Sequence, residues 1–323
     1  MNNKKNLLLT LISIFMFIIG ILIFFYPTIS NYIANKNFEK IIGDYEATYA
    51  EMPKDDLTEE YNRALKYNNA LVGDPVYDPF VPGTGYQLPD NYEEVLNIHK
   101  DGIMGFIEIP KISVRIPIYH GSSEKTLEKG VGHLEMSALP IGGVGNNPIL
   151  TGHRGLPRAE LFTRLDELKI KDKIYIHVLN DILAYEVDNI ITILPDKLSE
   201  LAAYKDKDMI TLITCTPYGI NTHRLVVQAH RVEYIPEEKD NIKVSRISRL
   251  SESFIIRIIG TILGIIILII IIYILTKRKK KQNNNKTLNK SSLPKKVIKK
   301  PIKNKENKTK IKRRKNEKNI KNK

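Results

Sequence analysis

TLITCTPYGINTHR, Thr211 to Arg224, decides how this 323-residue chain is read. An apolar, β-branched run ends at Cys215, the only cysteine, and a second such run opens at Arg224. Between them, Pro217, Gly219 and Asn221 supply turn residues. Two strands joined by a loop would bring thiol and guanidinium to one rim.

Outward from this pair the same texture recurs. Apolar β-rich runs are GFIEI (105–109), VRIPIY (114–119), NPILTGH (147–153), KIYIHVL (173–179), AYEVDNIITIL (184–194), MITLITC (209–215) and HRLVVQAHRVEYI (223–235), with a further strand near Val131 to Met136. Short helices are expected only at Ser123 to Glu128, Ala159 to Leu168 and Asp196 to Tyr204. About eight strands with few helices predict a mainly β domain over 103–236, folded as one closed eight-stranded barrel. A linker is expected over 237–253.

Two stretches belong elsewhere. Leu7 to Tyr26 is almost unbroken apolar sequence, long enough at about 1.5 Å per residue to cross a hydrocarbon layer of about 30 Å. Phe254 to Leu275 is a second, and its one charge, Arg257, lies where a long side chain can snorkel to the interface. Lys4 and Lys5 precede the first and Lys277 to Lys281 follow the second, so the positive-inside rule places both termini in the cytoplasm and the domain outside. The expected protein is thus two-pass in the cell membrane, with the lipid bilayer as a partner. A cleaved signal peptide is the competing reading of residues 1–26, but no A-x-A-like site follows and the run is long for an h-region.

The net charge of +14 is misleading until it is placed. Residues 276–323 hold 22 Lys/Arg against Glu306 and Glu317, which leaves the rest of the chain at −6. A nucleic-acid footprint should lie on the folded domain, so no nucleic-acid partner is expected. The tail reads as a disordered basic segment whose ordinary role is topogenic, with contact to anionic head groups as the alternative.

Residues 27–71 read as helix. Ile33, Phe38, Ile41, Ile42, Tyr45 and Tyr49 recur at helical spacing, Met52-Pro53 interrupts, and Tyr61, Leu65 and Leu71 resume. A spacer lifting the domain off the bilayer is the favoured reading, against a support packed on the domain. From Val72 to Pro89 prolines and glycines exclude helix and ladder, and residues 72–102 are expected to be a long functional loop and a lead-in.

A lone cysteine facing an oxidising exterior forms no internal disulfide. Its ordinary reading is a buried core residue. A nucleophilic role needs the thiolate, yet a thiol of pKa about 8.5 is only a few per cent ionised at pH 7 without a neighbouring imidazole or cation. Among the seven histidines, His177 sits within an alternating strand, His99, His120 and His133 border strands or loops without evident companions, and His223 and His230 flank the strand opened by Arg224. His153 alone ends a strand and precedes a polar loop, the usual station of a catalytic side chain.

These residues carry a resemblance. ILTGHRGLPRAELFTRLDELKIKDKIYI around His153, with TLITCTPYGINTHRLVVQAHR around Cys215 and Arg224, resembles the class C, pilin-polymerising sortases of Gram-positive cell walls, over most of residues 70–235. The resemblance implies a sortase-type barrel and a cysteine transpeptidase acting in pilus assembly. Cys215 would attack the Thr–Gly carbonyl of an LPXTG-like sorting signal, His153 would serve as acid and base, and Arg224 would steady the oxyanion. Partners would be pilin subunits carrying that signal and a lysine acceptor. Asp78, Pro79 and Phe80 match the Asp-Pro-aromatic lid of the class, although Phe80 stands where many relatives have Trp. No cofactor and no metal are expected. The competing readings are a housekeeping-type sortase acting on cell-wall peptide and a catalytically silent, membrane-held binding module.

Overall fold

The computed structural model describes residues 2–71, 91–201, 206–239, 258–270, 272–274 and 276–278. Asp78, Pro79 and Phe80 of the expected lid lie outside them, as do most of the linker and the basic tail.

The expected barrel is present and closed, in the order β1-β2-β3-β4-β7-β8-β6-β5. Its strands are β1 (Ile103–Ile109), β2 (Val114–His120), β3 (Val131–His133), β4 (Ile149–Thr151), β5 (Lys173–Val178), β6 (Asp181–Ile193), β7 (Met209–Thr216) and β8 (His223–Val232). Closure comes from β1 pairing antiparallel with β5, with Phe106 opposite His177. Closing the sheet removes the unpaired edges that an open eight-stranded sheet would expose.

Side-chain parity explains the core. Along β7, Ile210 and Leu212 join the main cluster with Leu150, Leu225 and Val227, whereas Ile213 packs outward with Ile149, Val226, Leu198 and Leu201. Each strand therefore buries both faces over part of its length, which is why its sequence reads as a continuous apolar run rather than an alternating one. Short helical elements stand at all three expected places. Only α3 (Glu124–Leu127) is α-helical, capped by Ser123, whose hydroxyl accepts from the Thr126 amide. The 159–168 and 196–204 segments form only single 3-10 stretches among the described residues, Leu165–Glu167 and Pro195–Glu200.

Helix α1 (Asn2–Glu51) runs unbroken through the first apolar stretch and through Pro27, so no structural break separates the residues on either side of position 26. A proline removes one ladder donor, and the helix tolerates the loss. Helix α2 (Lys54–Ala70) follows after the Met52-Pro53 interruption. The favoured spacer reading of residues 27–71 needs correction. Ile42, Tyr45 and Tyr49 of α1 are buried against Ile103, Phe106 and Tyr119 of the barrel, and the Tyr45 hydroxyl donates to the Met104 carbonyl (3.3 Å) while accepting from the Leu179 amide (2.8 Å). The helix is a docked support because its apolar stripe, about 1.5–3 kcal/mol per fully buried large side chain, meets a matching face on β1 and β2. Arg115 on β2 fastens the same contact, pairing with Glu39 and with Glu46 (2.9 Å).

A second polar assembly fixes residues 91–102 to the barrel. His133 is fully buried, with Nε2 2.8 Å from the Ala138 carbonyl and Nδ1 3.0 Å from the Tyr92 hydroxyl. That hydroxyl also accepts from the Gly121 amide (2.8 Å). His120 spans the Val95 and Gly102 carbonyls. Both histidines thus have partners that their places in sequence did not disclose, since Tyr92 and Val95 reach them across the fold.

Apart from this body, Ile258–Arg278 forms an apolar helix long enough to cross a membrane, as does the first part of α1. The large apolar side chains of both stretches, among them Leu8, Phe15, Ile23, Leu263 and Ile269, stand exposed.

Candidate active site

Two of the three candidate residues are ladder partners on neighbouring strands, and the third follows the end of the strand next to them. On β7 and β8, Cys215 lies directly opposite Arg224. On the other side, β4 pairs parallel with β7, Ile149 against Thr211 and Thr151 against Ile213. Two residues further along the chain are His153, past the end of β4, and Cys215, still on β7. Thus Cys215 and Arg224 are ladder partners on β7 and β8, and His153 follows just beyond the end of β4, the strand on the other side of β7.

Parity puts Cys215 and Arg224 on one face. Ile149, Ile213 and Val226 form part of the outward cluster, and in a strand alternate residues share a face. Cys215 continues the row of Ile213 and Arg224 that of Val226, while His153 follows two residues after Thr151, the last residue of β4. A one-residue shift in any of these registers would turn its side chain to the other face.

The surroundings suit chemistry at a thiol. Cys215 is buried at 8% exposure and Arg224 at 4%. Arg224 is oriented through Nη1, which donates to the Asn221 and His223 carbonyls (both 3.1 Å). A fixed guanidinium is worth most to a nearby developing negative charge where water is excluded. His153 sits within a compact loop. Its carbonyl accepts from the Phe162 amide (3.2 Å), and the Gly155 amide donates to Thr163 Oγ1 (3.0 Å). Gly152, just before it, lies so close to Phe162 that an added Cβ would stand 2.9 Å from the ring.

Sequence reasoning missed several neighbours of this constellation. Glu124, at the start of α3, puts Oε1 3.5 Å from His153 Nε2, and its exposure makes the pair weak. Arg154 donates to Thr216 Oγ1 (2.9 Å) and to Asp166 (2.5 Å). The available signal was simple adjacency, since Arg154 and Thr216 directly follow His153 and Cys215. Of the other histidines, His177 bonds to the buried Glu108 (3.3 Å) on the barrel wall, and His223 lies opposite Thr216, beside the site but half-exposed.

Residues 107–232 match the Sortase domain family. Sortase A of Bacillus anthracis is 34% identical over 150 residues, covering 46% of this chain and 69% of that protein. Sortase A of Listeria monocytogenes is 28% identical over 232 residues, covering 71% and 95%. Among solved structures, Sortase C of Streptococcus pneumoniae is 40% identical with a TM-score of 0.57, covering 60% of this chain and 97% of that one. Sortase C-1 from Actinomyces oris is 40% identical with a TM-score of 0.53, covering 56% and 99%. With fold and sequence in agreement, the chain belongs to the sortase family of cysteine transpeptidases, with class C sortases among its structural relatives.

Proposed function

We propose that this protein is a membrane-anchored pilin-polymerising sortase, in which Cys215, His153 and Arg224 carry the reaction. The observation that supports it most directly is the register that pairs Cys215 with Arg224, with His153 just beyond the end of the strand on the other side of β7. The Cys215 sulfur attacks the threonine carbonyl of an LPXTG-like sorting signal. The Thr–Gly C–N bond breaks, His153 gives its proton to the departing glycine amine, and the acyl group remains as a thioester. A lysine amine of the next pilin subunit then attacks the thioester carbonyl, His153 takes its proton, and the Cys215 thiolate leaves. Arg224 balances the oxyanion formed in both halves. The apolar part of α1 and the Ile258–Arg278 helix hold the barrel at the outer face of the membrane, with both termini cytoplasmic.

Intact mass spectrometry of the domain with a sorting-signal peptide tests this. A thioester adduct on Cys215, lost in Cys215→Ala, is expected, and its absence from the wild type across candidate signals would overturn the reading. Supplying a lysine-bearing pilin domain beside a cell-wall peptide amine separates polymerisation from wall attachment. The 34% identity to a Sortase A supports the second outcome, but the roughly 40% identities to sortase C structures support the first. Asp78, Pro79 and Phe80 support it too, through sequence alone, as a cover over the thiol. Alkylation of Cys215 should then accelerate in Asp78→Ala and Phe80→Ala, and unchanged rates in both would remove the cover.

A further inference from the structure

The backbone ladder between β4 and β7 stops just short of the pair that matters. Thr151 is the last residue of β4, and the final backbone rung is the Gly152 amide donating to the Ile213 carbonyl (3.2 Å). Beyond it, side chains take over. Thr214 Oγ1 donates to the Gly152 carbonyl (2.7 Å), and Arg154 Nη1 donates to Thr216 Oγ1 (2.9 Å). These rungs join 152 to 214 and 154 to 216. His153 and Cys215 are the positions bracketed between them.

The parity of the bracket on β7 is opposite to that of Cys215. Thr214 and Thr216 share the row of Ile210 and Leu212, which face the main core, whereas Cys215 shares the outward row of Ile213. The bracket can therefore hold the two strand ends without filling the space a substrate needs. Arg154 is also placed at a cost that position alone does not explain. Its side chain is only 8% exposed, and burying a guanidinium is unfavourable unless it is paired and hydrogen-bonded. Its second arm meets Asp166 at 2.5 Å, which anchors the far end of the loop that carries His153. A planar fork can reach both partners at once, and an ammonium on a flexible stem cannot reproduce that geometry.

We propose that Arg154, bridging Thr216 and Asp166, is a positioning residue that sets the separation and mutual orientation of His153 and Cys215. It touches neither the substrate nor the reacting atoms. The inference rests on the reading of His153 and Cys215 as the catalytic pair. Beyond the end of the ladder, the Arg154–Thr216 bond joins the two strand ends on the far side of that pair. A displacement of about 1 Å between reacting groups can cost about 100-fold in rate, so the expected effect is on turnover rather than on substrate affinity.

The experiment compares Thr216→Val, which keeps shape and removes the acceptor, with Thr216→Ser, which keeps the hydroxyl, and with Arg154→Lys. Each full-length protein in detergent is first titrated for reactive thiol, so that misfolded molecules do not count. With a sorting-signal peptide, kcat for acyl-enzyme formation should fall about 10- to 100-fold in Thr216→Val and Arg154→Lys, with KM changed less than about threefold, and Thr216→Ser should stay near wild type. In parallel, the pH profile of Cys215 alkylation by iodoacetamide should shift in Thr216→Val and Arg154→Lys but not in Thr216→Ser. Wild-type kcat in Thr216→Val, or equal losses in Thr216→Val and Thr216→Ser, overturns the proposal. If the wild type forms no thioester, the transpeptidase assignment of this pair fails by that result. The alkylation profiles then judge the bracket alone, and coincident profiles in all four proteins reject it. Should Thr216→Val not fold, Arg154→Lys supplies the same comparison.

Discussion

At the scale of single residues, Arg224 makes the most specific demand. Its guanidinium is buried at 4%, directly across from Cys215, and aimed by the Asn221 and His223 carbonyls. Lysine would keep the charge but lose the rigid fork, so Arg224→Lys should leave a poorly aimed cation. Losing one oxyanion donor costs about 10²–10³ in kcat elsewhere, and a loss near 10² with a modest change in KM is expected here from steady-state peptide cleavage. A variant that instead raised KM alone would assign Arg224 to ground-state binding. The residue scale is also where sequence reading was strongest and weakest. Cys215, His153 and Arg224 stood out because each is a chemically distinctive type at a strand end. Arg154 did not, because a lone arginine in a polar loop looks solvated until Thr216 and Asp166 arrive from 62 and 12 residues away.

At the scale of elements, the strands were legible because a closed barrel needs β-branched runs buried on both faces, and those runs are hard to read otherwise. The helical segments were less so. Helix α1 showed its 3.6-residue stripe clearly, but a stripe does not name its partner, and a spacer and a docked support have the same pattern. What decides for docking is a non-local match. Tyr45 lies between the Met104 carbonyl and the Leu179 amide, and Phe106 meets its ring edge-on at 6.2 Å. Tyr45→Phe removes the hydroxyl that satisfies both backbone groups and should destabilise the fold by about 1–3 kcal/mol. Tyr45→Ala, which also opens a cavity, should cost about 3–5 kcal/mol. Chemical denaturation of detergent-solubilised protein measures both. If neither differs from wild type, α1 contributes nothing to the stability of the barrel and the spacer reading returns.

At the scale of the whole molecule, both chain segments that lead toward apolar helices converge on the outer face of β1. Helix α1 arrives through Glu39 and Glu46, which pair with Arg115, and Arg115 lies over the Phe106 ring at 4.7 Å. Phe106 stacks on His177 at 4.1 Å, and His177 meets Glu108. Lys239, beyond β8, completes the chain at 2.9 Å from Glu108 and 3.3 Å from His177 Nε2, and its ammonium lies 5.7 Å from the Tyr175 ring. Burial pushes the Glu108 carboxyl up, but hydrogen bonds from His177 and Lys239 and their charges outweigh it and hold the group near pKa 2. Burial pulls His177 below its ordinary range, and Lys239 and Arg115 add to that fall, against the opposing pull of Glu108. Burial likewise takes His133 to about 4.

The signs of these shifts agree. For His133 and His177 the unfolded chain takes up its proton first as pH falls below about 6.5, so the stability each contributes is complete above that pH and declines beneath it. For Glu108 the folded carboxyl stays ionised after the unfolded one protonates, so its contribution is lost between about pH 4.5 and 2. The fold should change little from about pH 6.5 up to about pH 9, below the range in which tyrosines ionise, and weaken progressively on acidification. The His133 step alone is worth roughly 3 kcal/mol by pH 4, at about 1.4 kcal/mol per pKa unit. Urea midpoints taken from pH 7.5 down to pH 3.5 read this directly. His133→Gln should be less stable at neutral pH but show a shallower fall between pH 6.5 and 4.5, and Glu108→Gln should flatten only the limb below pH 4.5. A wild-type midpoint that stays level from pH 6.5 to 4.5 would mean that the buried imidazoles protonate without cost. That would contradict the enclosure of His133 by Tyr92, Ser137 and the Ala138 carbonyl.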